Sequence, residues 1–588
     1  MTPAAALLAV IGLCPAVHAA ATTVFASSFA GSTSTAVFPP PGVSVTSAAS
    51  DFPDATQINV FGPTPTGDEA FAIATAPVSP DYTNIFPLVE PATSDKKNFD
   101  VIHSWGNLSP FQSTNLGLSK SSAKIPADCT LQQVHLLHRH GARYPTSGSA
   151  PASFAAALHA AAETGNLTAS GPLAFLNTWT YKFGAEILTP FGRAQLFELG
   201  VGFRVKYGDL LKGFTDLPVW RTTSEERMVD SALHFAAGFF GVQEYQNDYH
   251  QLIEIEAQGF NSTLAPYDQC PNANNAIAAA ATNFTNQWAS IYLADAQKRL
   301  APHFKAPGMT LNATWLFAMQ QTCAYETVAL GYSAFCDLFT EEEWKGYEYS
   351  VDLSFWYNNG PGNPAVAAQG IGWVQELVSR LTQTRINVTE SASSVNASIV
   401  GSNVTFPFEQ PIFVDATHDT VISAIVVAMN FTSLAKTGPL PGTHIPKNRS
   451  YIVNQISPFA SNMVGQVLSC PGLSTSPISS ESSGIASASS TAPSFLPSIS
   501  IPGDGSTPAS PPTTHIRWIL NDAVVPLTGI TGCTPNPDGL CAFDTFVRGM
   551  QQRIEEVDFK FGCFGNYTVP NPNLIVDGQV PGGLRAGM

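Results

Sequence analysis

The chain has 588 residues, with 27 Lys and Arg against 44 Asp and Glu for a formal net charge of −17, and only 12% of it is charged, about half the ~25% usual in soluble domains. So little positive charge excludes a nucleic-acid binder, whose phosphate contacts need dense Lys and Arg, and 44% hydrophobic residues with 37 Phe exclude a disordered chain. No apolar run reaches the ~18 residues of a membrane helix; the longest candidate, Val421 to Asn430, stops short, so neither nucleic acid nor membrane is an expected partner.

In chain order, residues 1–19 read as a secretory signal. An apolar run from Ala4 to Val17 ends in Val17-His18-Ala19-Ala20, with small residues where a signal peptidase cuts. Residues 20–97, rich in Ala, Ser, Thr and Pro without a sustained period, read as a low-complexity leader. A first α/β part is expected over 98–225. Val134 to Leu137 forms a buried strand entering a Gly turn, and Thr189-Pro190 supplies a cap and a favoured first-turn proline for a helix through Gln195 and Leu199. Thr223-Ser224-Glu225-Glu226 has the pattern of a capping box before a helix carrying Met228, Val229, Ala232, Leu233 and Ala236. Residues 226–404 read as a helical domain, Ala-rich over 274–301. An α/β part returns over 405–470, with the strand Ile412-Phe413-Val414-Asp415, then His418-Asp419 and an apolar helix from Val421. Residues 471–513, rich in Ser and Pro, read as a flexible insertion with a composition suited to O-glycosylation. Residues 514–588, opened by the strand-like Ile516 to Leu520, complete the α/β part and add a C-terminal tail. Strands bracketing a helix-rich middle predict an α/β domain with a helical insertion.

Cysteines and sequons both point outside the cell. Cys14 lies in the signal, leaving the even set Cys129, Cys270, Cys323, Cys336, Cys470, Cys533, Cys541 and Cys563 without a CxxC pair. Such a set predicts four disulfides, whose pairing sequence leaves open, in place of zinc or redox chemistry. Asn-x-Ser/Thr acceptors stand at Asn107, Asn166, Asn261, Asn283, Asn312, Asn387, Asn396, Asn403, Asn430, Asn448 and Asn566, and glycans there would solubilise a surface short of charge. A secreted glycoprotein is expected.

The chemistry concentrates in Arg139-His140-Gly141-Ala142-Arg143-Tyr144-Pro145. A glycine after a strand lets the backbone turn at the carboxyl edge of a sheet, where α/β proteins bind ligands. Two arginines flanking a histidine there make a multidentate anion site around an imidazole. The spacing of His135, His138 and His140 hints at zinc, but Arg139 and Arg143 would repel a cation, so no metal or cofactor is expected. Asp415 and the run Glu341-Glu342-Glu343 read as structural or solvated.

The pattern Arg-His-Gly-x-Arg-x-Pro resembles the signature of the histidine acid phosphatases, the branch of the phosphoglycerate-mutase-like superfamily that includes fungal phytases. The resemblance runs from about residue 103 to 566. It includes His103 to Phe111, Phe335-Cys336-Asp337-Leu338-Phe339-Thr340, Gly360-Pro361-Gly362-Asn363-Pro364, Leu520 to Leu527, and Val414-Asp415-Ala416-Thr417-His418-Asp419, which looks like the second signature, His-Asp. It implies a phosphoglycerate-mutase-like α/β sandwich with an inserted, mostly helical domain. It implies further that His140 is the nucleophile, that Arg139, Arg143, Arg221 and His418 bind phosphate, and that Asp419 protonates the leaving alcohol. Arg227, six residues on, is expected to be structural. The family pattern pairs Cys129 with Cys470, Cys270 with Cys563, Cys323 with Cys336, and Cys533 with Cys541.

The resulting expectation is a secreted acid phosphatase acting on small phosphate monoesters, with phytate one candidate substrate. Against a dedicated phytase, the segment from Tyr144 through Tyr181 has no Lys or Arg, and His418-Asp419-Thr420 replaces the His-Asp-Asn common in fungal phytases. A phosphoglycerate-type mutase is opposed by secretion and by the Arg143-x-Pro145 continuation. A catalytically silent phosphate-binding glycoprotein is opposed by the retention of His140, His418 and Asp419.

Overall fold

The computed structural model describes residues 99–582 except 115, 118–120, 244, 275–278, 388–392 and 471–512. The signal and leader expected over residues 1–97, and almost all of the Ser/Pro insertion, lie outside the described residues. The strands are β1 (Thr130–Arg139), β2 (Thr168–Ala169), β3 (Val219–Thr223), β4 (His250–Glu254), β5 (Phe304–Lys305), β6 (Ile412–Thr417), β7 (Asn462–Cys470), β8 (Thr513–Leu520), β9 (Ala523–Val525) and β10 (Cys541–Ala542). The longer helices are α1 (Ala150–Glu163), α2 (Pro190–Tyr207), α3 (Glu226–Phe240), α4 (Ala279–Tyr292), α5 (Ala294–Leu300), α6 (Ala313–Leu330), α7 (Glu341–Asn358), α8 (Val366–Thr382), α9 (Asp419–Ala428) and α10 (Phe543–Glu556).

The main sheet runs β10-β8-β7-β1-β6-β3-β4, with β9 on β8. β1 and β6 are parallel neighbours with Arg139 opposite Thr417, and β3 lies parallel to β6 on its far side. The carboxyl ends of β1 and β6 therefore emerge side by side, which delivers the segments starting at His140 and His418 to one edge. Alternation along the strands feeds two cores. Leu136, Val464 and Ile519 pack with Leu196, Phe203, Phe235 and Phe239 of α2 and α3. Leu137, Val467 and Trp518 face Trp373, Ile425 and Phe546 of α8, α9 and α10. Helices cover both faces, giving the α/β sandwich that the motif resemblance implies.

Three sequence-level expectations are corrected. The α/β part does not stop at residue 225, because β4 pairs with β3 in the main sheet, so the helical insertion follows Glu254. β4 escapes sequence reading because an edge strand needs no continuous apolar run. Thr223 forms no capping box, being the last residue of β3; Glu225 stands at the N-cap of α3 without a side-chain cap bond. The capping box of the helical insertion is instead Thr340 with Glu343, which gives part of the acidic run a structural use. Finally, Gly141 does not adopt a positive φ. An added Cβ there would lie 2.2 Å from the Gly192 carbonyl oxygen, so the glycine admits the N-terminus of α2.

All four expected disulfides form: Cys129–Cys470, Cys270–Cys563, Cys323–Cys336 and Cys533–Cys541. Among the described residues, no helix is long and apolar enough to cross a membrane.

Candidate active site

His140 follows β1 directly and is anchored from both sides. Its N–H donates to the Thr417 carbonyl at 3.2 Å, and its own carbonyl accepts from the Ala460 N–H at 3.0 Å. The ring Nδ1 lies 2.8 Å from the Gly141 carbonyl oxygen. A carbonyl can only accept, so Nδ1 carries the proton and Nε2 keeps its lone pair. Burial first, then the charges of Arg139, Arg227 and Arg143, hold the imidazole well below its usual value. A buried, neutral imidazole with one fixed tautomer is available for attack even in acid.

α2 holds this loop from behind. Thr189 caps the helix by accepting from the Gly192 N–H at 3.1 Å, its own N–H donates to the Ala142 carbonyl at 2.9 Å, and Gln195 Oε1 accepts from the Ala142 N–H at 2.9 Å. The cap read from Thr189-Pro190 thus also fixes the segment that carries Arg143.

Arg139 is fully buried. It donates to the Asn107 and Ser457 carbonyls, the latter at 3.0 Å, stacks over the Phe459 ring at 4.5 Å and pairs with Asp419 at 2.7 Å. Burial draws its guanidinium down to about 10, so it remains charged. Asp419 opens α9 and accepts a second bond from Asn107 Nδ2 at 2.8 Å. Burial opposes its ionisation, but Arg139, the Asn107 amide and Arg143 outweigh that and hold its carboxyl below the usual range. In the resting protein Asp419 is a carboxylate. His418 stands at the N-cap of α9 with its ring centroid 5.7 Å from that of His140, and its Nε2 donates to Glu256 Oε2 at 3.0 Å.

His140, Arg139, Arg143, His418 and Asp419 are thus brought together, and Arg221 is not. Arg221 lies inside β3, where it pairs with Asp415 at 2.7 Å, Glu376 at 2.8 Å and Glu254 at 3.1 Å. Three carboxylates around a buried guanidinium leave it no charge to offer a phosphate. Arg227, in the first turn of α3, supplies the third positive charge acting on the His140 ring. Arg221 lies within β3 and Arg227 beyond it, and only the strand's end, at Thr223, shows which one reaches the sheet edge. Glu225 and Glu256, which sequence reasoning did not single out, complete the surroundings: His418 Nε2 lies 3.8 Å from Glu225 Oε2.

The suggested histidine triplet does not form a metal site. His135 bonds Gln133 and stacks on Phe413, while His138 bonds the Arg139 carbonyl. Burial pushes them down to about 3 and about 4, so both are neutral core residues. Asn107, one of the expected glycan acceptors, is half-buried and donates its amide nitrogen to Asp419. Asn166, Asn261, Asn283, Asn312, Asn387, Asn403, Asn448 and Asn566 are exposed, and Asn396 and Asn430 are half-buried.

The model for the histidine phosphatase superfamily, branch 2, matches residues 130–486. Phytase A of Aspergillus fumigatus is 31% identical over 465 residues, 76% of this chain and 88% of that protein. Among solved structures, the phytase from D. castellii aligns with a TM-score of 0.60 at 25% identity, covering 82% of this chain and 91% of that one. The apo multiple inositol polyphosphate phosphatase of Bifidobacterium longum shares the fold, with a TM-score of 0.51 at 14% identity, over 75% of this chain and 96% of its own. The chain therefore belongs to branch 2 of the histidine phosphatase superfamily and is a phosphoric monoester hydrolase.

Proposed function

We propose that the protein is a secreted acid phosphatase of broad specificity that works through a phosphohistidine and accepts phytate among its substrates. The observation that carries the mechanism is the His140 ring, with Nδ1–H tied to the Gly141 carbonyl and Nε2 left as nucleophile beneath three guanidinium groups. The Nε2 lone pair attacks phosphorus, the P–O ester bond breaks, and the departing alcohol takes a proton from Asp419. Water then attacks the phosphohistidine, the P–N bond breaks, and the water's proton returns to Asp419. Arg139, Arg143 and Arg227, with His418, hold the phosphoryl oxygens through both steps.

Asp419 is ionised at rest and must gain a proton before it can act as an acid. An arriving phosphate draws on the charge of Arg139, which otherwise stabilises the Asp419 carboxylate, and thereby favours its protonation. Acid pH supplies the proton. Four disulfides support secretion.

A dedicated phytase is the second reading, favoured by the name Phytase A of the curated relatives. Comparing kcat/KM on phytate and on an aryl phosphate separates the two: a ratio within about tenfold fits broad specificity, and a hundredfold preference for phytate overturns it. The phosphohistidine is tested by a brief reaction with labelled substrate and an alkaline quench. Acid-labile label on His140, absent in His140→Ala, is expected; label on another residue overturns the mechanism.

A further inference from the structure

Glu225 occupies a position that phosphate chemistry alone does not explain. It follows β3 at the sheet edge, and its carboxylate is wedged between Arg227, with which it pairs directly, and His418, 3.8 Å away. Its side chain is 34% exposed, whereas that of Glu256, on the other side of His418, is 5% exposed. Glu225 therefore lies at the mouth of the cleft and Glu256 inside it. Glu186 takes the remaining arm of Arg227 at 3.1 Å. Arg227, a partly exposed cation of the clamp, is thus flanked by two carboxylates.

We infer that Glu225 is a specificity-determining residue that disfavours substrates carrying a second phosphate beside the one being cleaved. The inference rests on the phosphatase reading above and deepens it. The phosphate under attack sits against Arg139, Arg143 and Arg227, whose charges overcome the nearby carboxylates. A neighbouring phosphate on a crowded polyphosphate ring would project toward the mouth and meet the Glu225 carboxylate without a cation of its own. Like charges a few ångströms apart at a partly desolvated rim repel strongly enough to matter. A monoester with a neutral leaving group meets no such opposition.

The repulsion depends on pH. Burial raises the Glu225 carboxyl above its ordinary value and Glu256 and Glu186 add to the rise, while His418 and Arg227 oppose it. These groups, from the starts of α3 and α9, the segment after β4 and the loop before α2, are the charged neighbours that set its titration. Protonation in acid removes the opposing charge, so discrimination against polyphosphates should be weakest at low pH and grow as pH rises.

The test compares kcat/KM for phytate with that for an aryl phosphate in wild type, Glu225→Gln and Glu225→Ser, from pH 4 to pH 6.5. The ratio of the two substrates is expected to rise about tenfold in either variant near pH 6, mainly through KM for phytate, and to vary less with pH than in wild type. An unchanged or lower ratio in both variants overturns the inference, while aryl phosphate turnover that still depends on His140 leaves the phosphatase reading standing. Equal losses on both substrates in correctly folded variants would show that Glu225 merely orients Arg227, and would also overturn it.

Discussion

At the scale of single residues, Arg221 and Arg227 stand six positions apart with the same side chain and opposite employment. Arg221, 1% exposed, pairs with Asp415, Glu254 and Glu376. Removing one partner of a buried charge cluster typically costs about 3–5 kcal/mol, so Arg221→Ala should give little folded protein. Arg227→Ala should fold with a nearly unchanged unfolding temperature yet lose about 100-fold or more in kcat, the usual loss for one preorganised group on a developing anion. Expression, thermal unfolding and aryl phosphate turnover of the two variants check this, and a stable but inactive Arg221→Ala beside an active Arg227→Ala would restore the sequence-level assignment. The remaining clamp was legible because its residues are adjacent in sequence to the turn or to the helix start. The third arginine was not, since choosing between two candidates required knowing where β3 ends.

Elements show a similar division. The strand leading into His140, the cap at Thr189 and the helix after His418 were all readable, because each is a local pattern of hydrophobicity or capping chemistry. β4 and the true start of α3 were not, because pairing with a sheet edge decides them. Gly141 shows how a correct residue can carry the wrong reason: it opens room for α2, and Gly192 reciprocates. A Cβ on Gly192 would lie 1.9 Å from the Ala142 carbonyl oxygen, whereas one on Gly202, in the same helix, meets nothing within 4 Å. Gly192→Ala must therefore push the start of α2 away from the loop bearing His140 and Arg143. It is expected to lower kcat at least about tenfold and to destabilise by roughly 1–3 kcal/mol. Gly202→Ala should leave kcat unchanged and stabilise by about 0.4–1 kcal/mol through helix propensity and reduced freedom of the unfolded chain. Steady-state kinetics and thermal melts on the pair decide it; full activity in Gly192→Ala would show that the loop does not rely on this close approach.

Over the whole molecule, two buried clusters hold more acids than bases. Around β3 and β6, Arg221 and Arg380 face Asp415, Glu254 and Glu376. On α7 of the helical insertion, Glu348 and Asp352 face Arg449 of the segment between α9 and β7. Each cluster carries one surplus carboxyl, which low-dielectric surroundings keep protonated. Burial pushes Glu254 up from 4.5 to about 7 despite Arg221, and pushes Asp352 up from 3.8 to about 7 despite Arg449. For such raised groups, the stabilising contribution is complete below the unfolded value and is lost as pH rises through the folded one. Asp415 and Asp419 work in the opposite sense. Their carboxyls are held below the usual range, so their contribution is present above about pH 4 and erodes as pH falls further. The buried neutral histidines oppose the first trend: His135 and His138 are held at about 3 and about 4 and His140 well below its usual value, so their contribution grows as pH rises toward the unfolded value. Each tenfold change in proton affinity between the folded and unfolded chain is worth ~1.4 kcal/mol, so either set alone would move stability by several kcal/mol on the way to neutrality, and together they offset. Thermal melts of wild type from pH 3 to pH 8 should show a broad plateau above the acid limb. Glu254→Gln, which fixes the neutral form, should unmask a rise in unfolding temperature between about pH 4.5 and pH 7 and leave the acid limb in place. A Glu254→Gln profile that runs parallel to wild type over that interval would show that this carboxyl keeps its ordinary proton affinity on folding and that the surplus charge is met in another way.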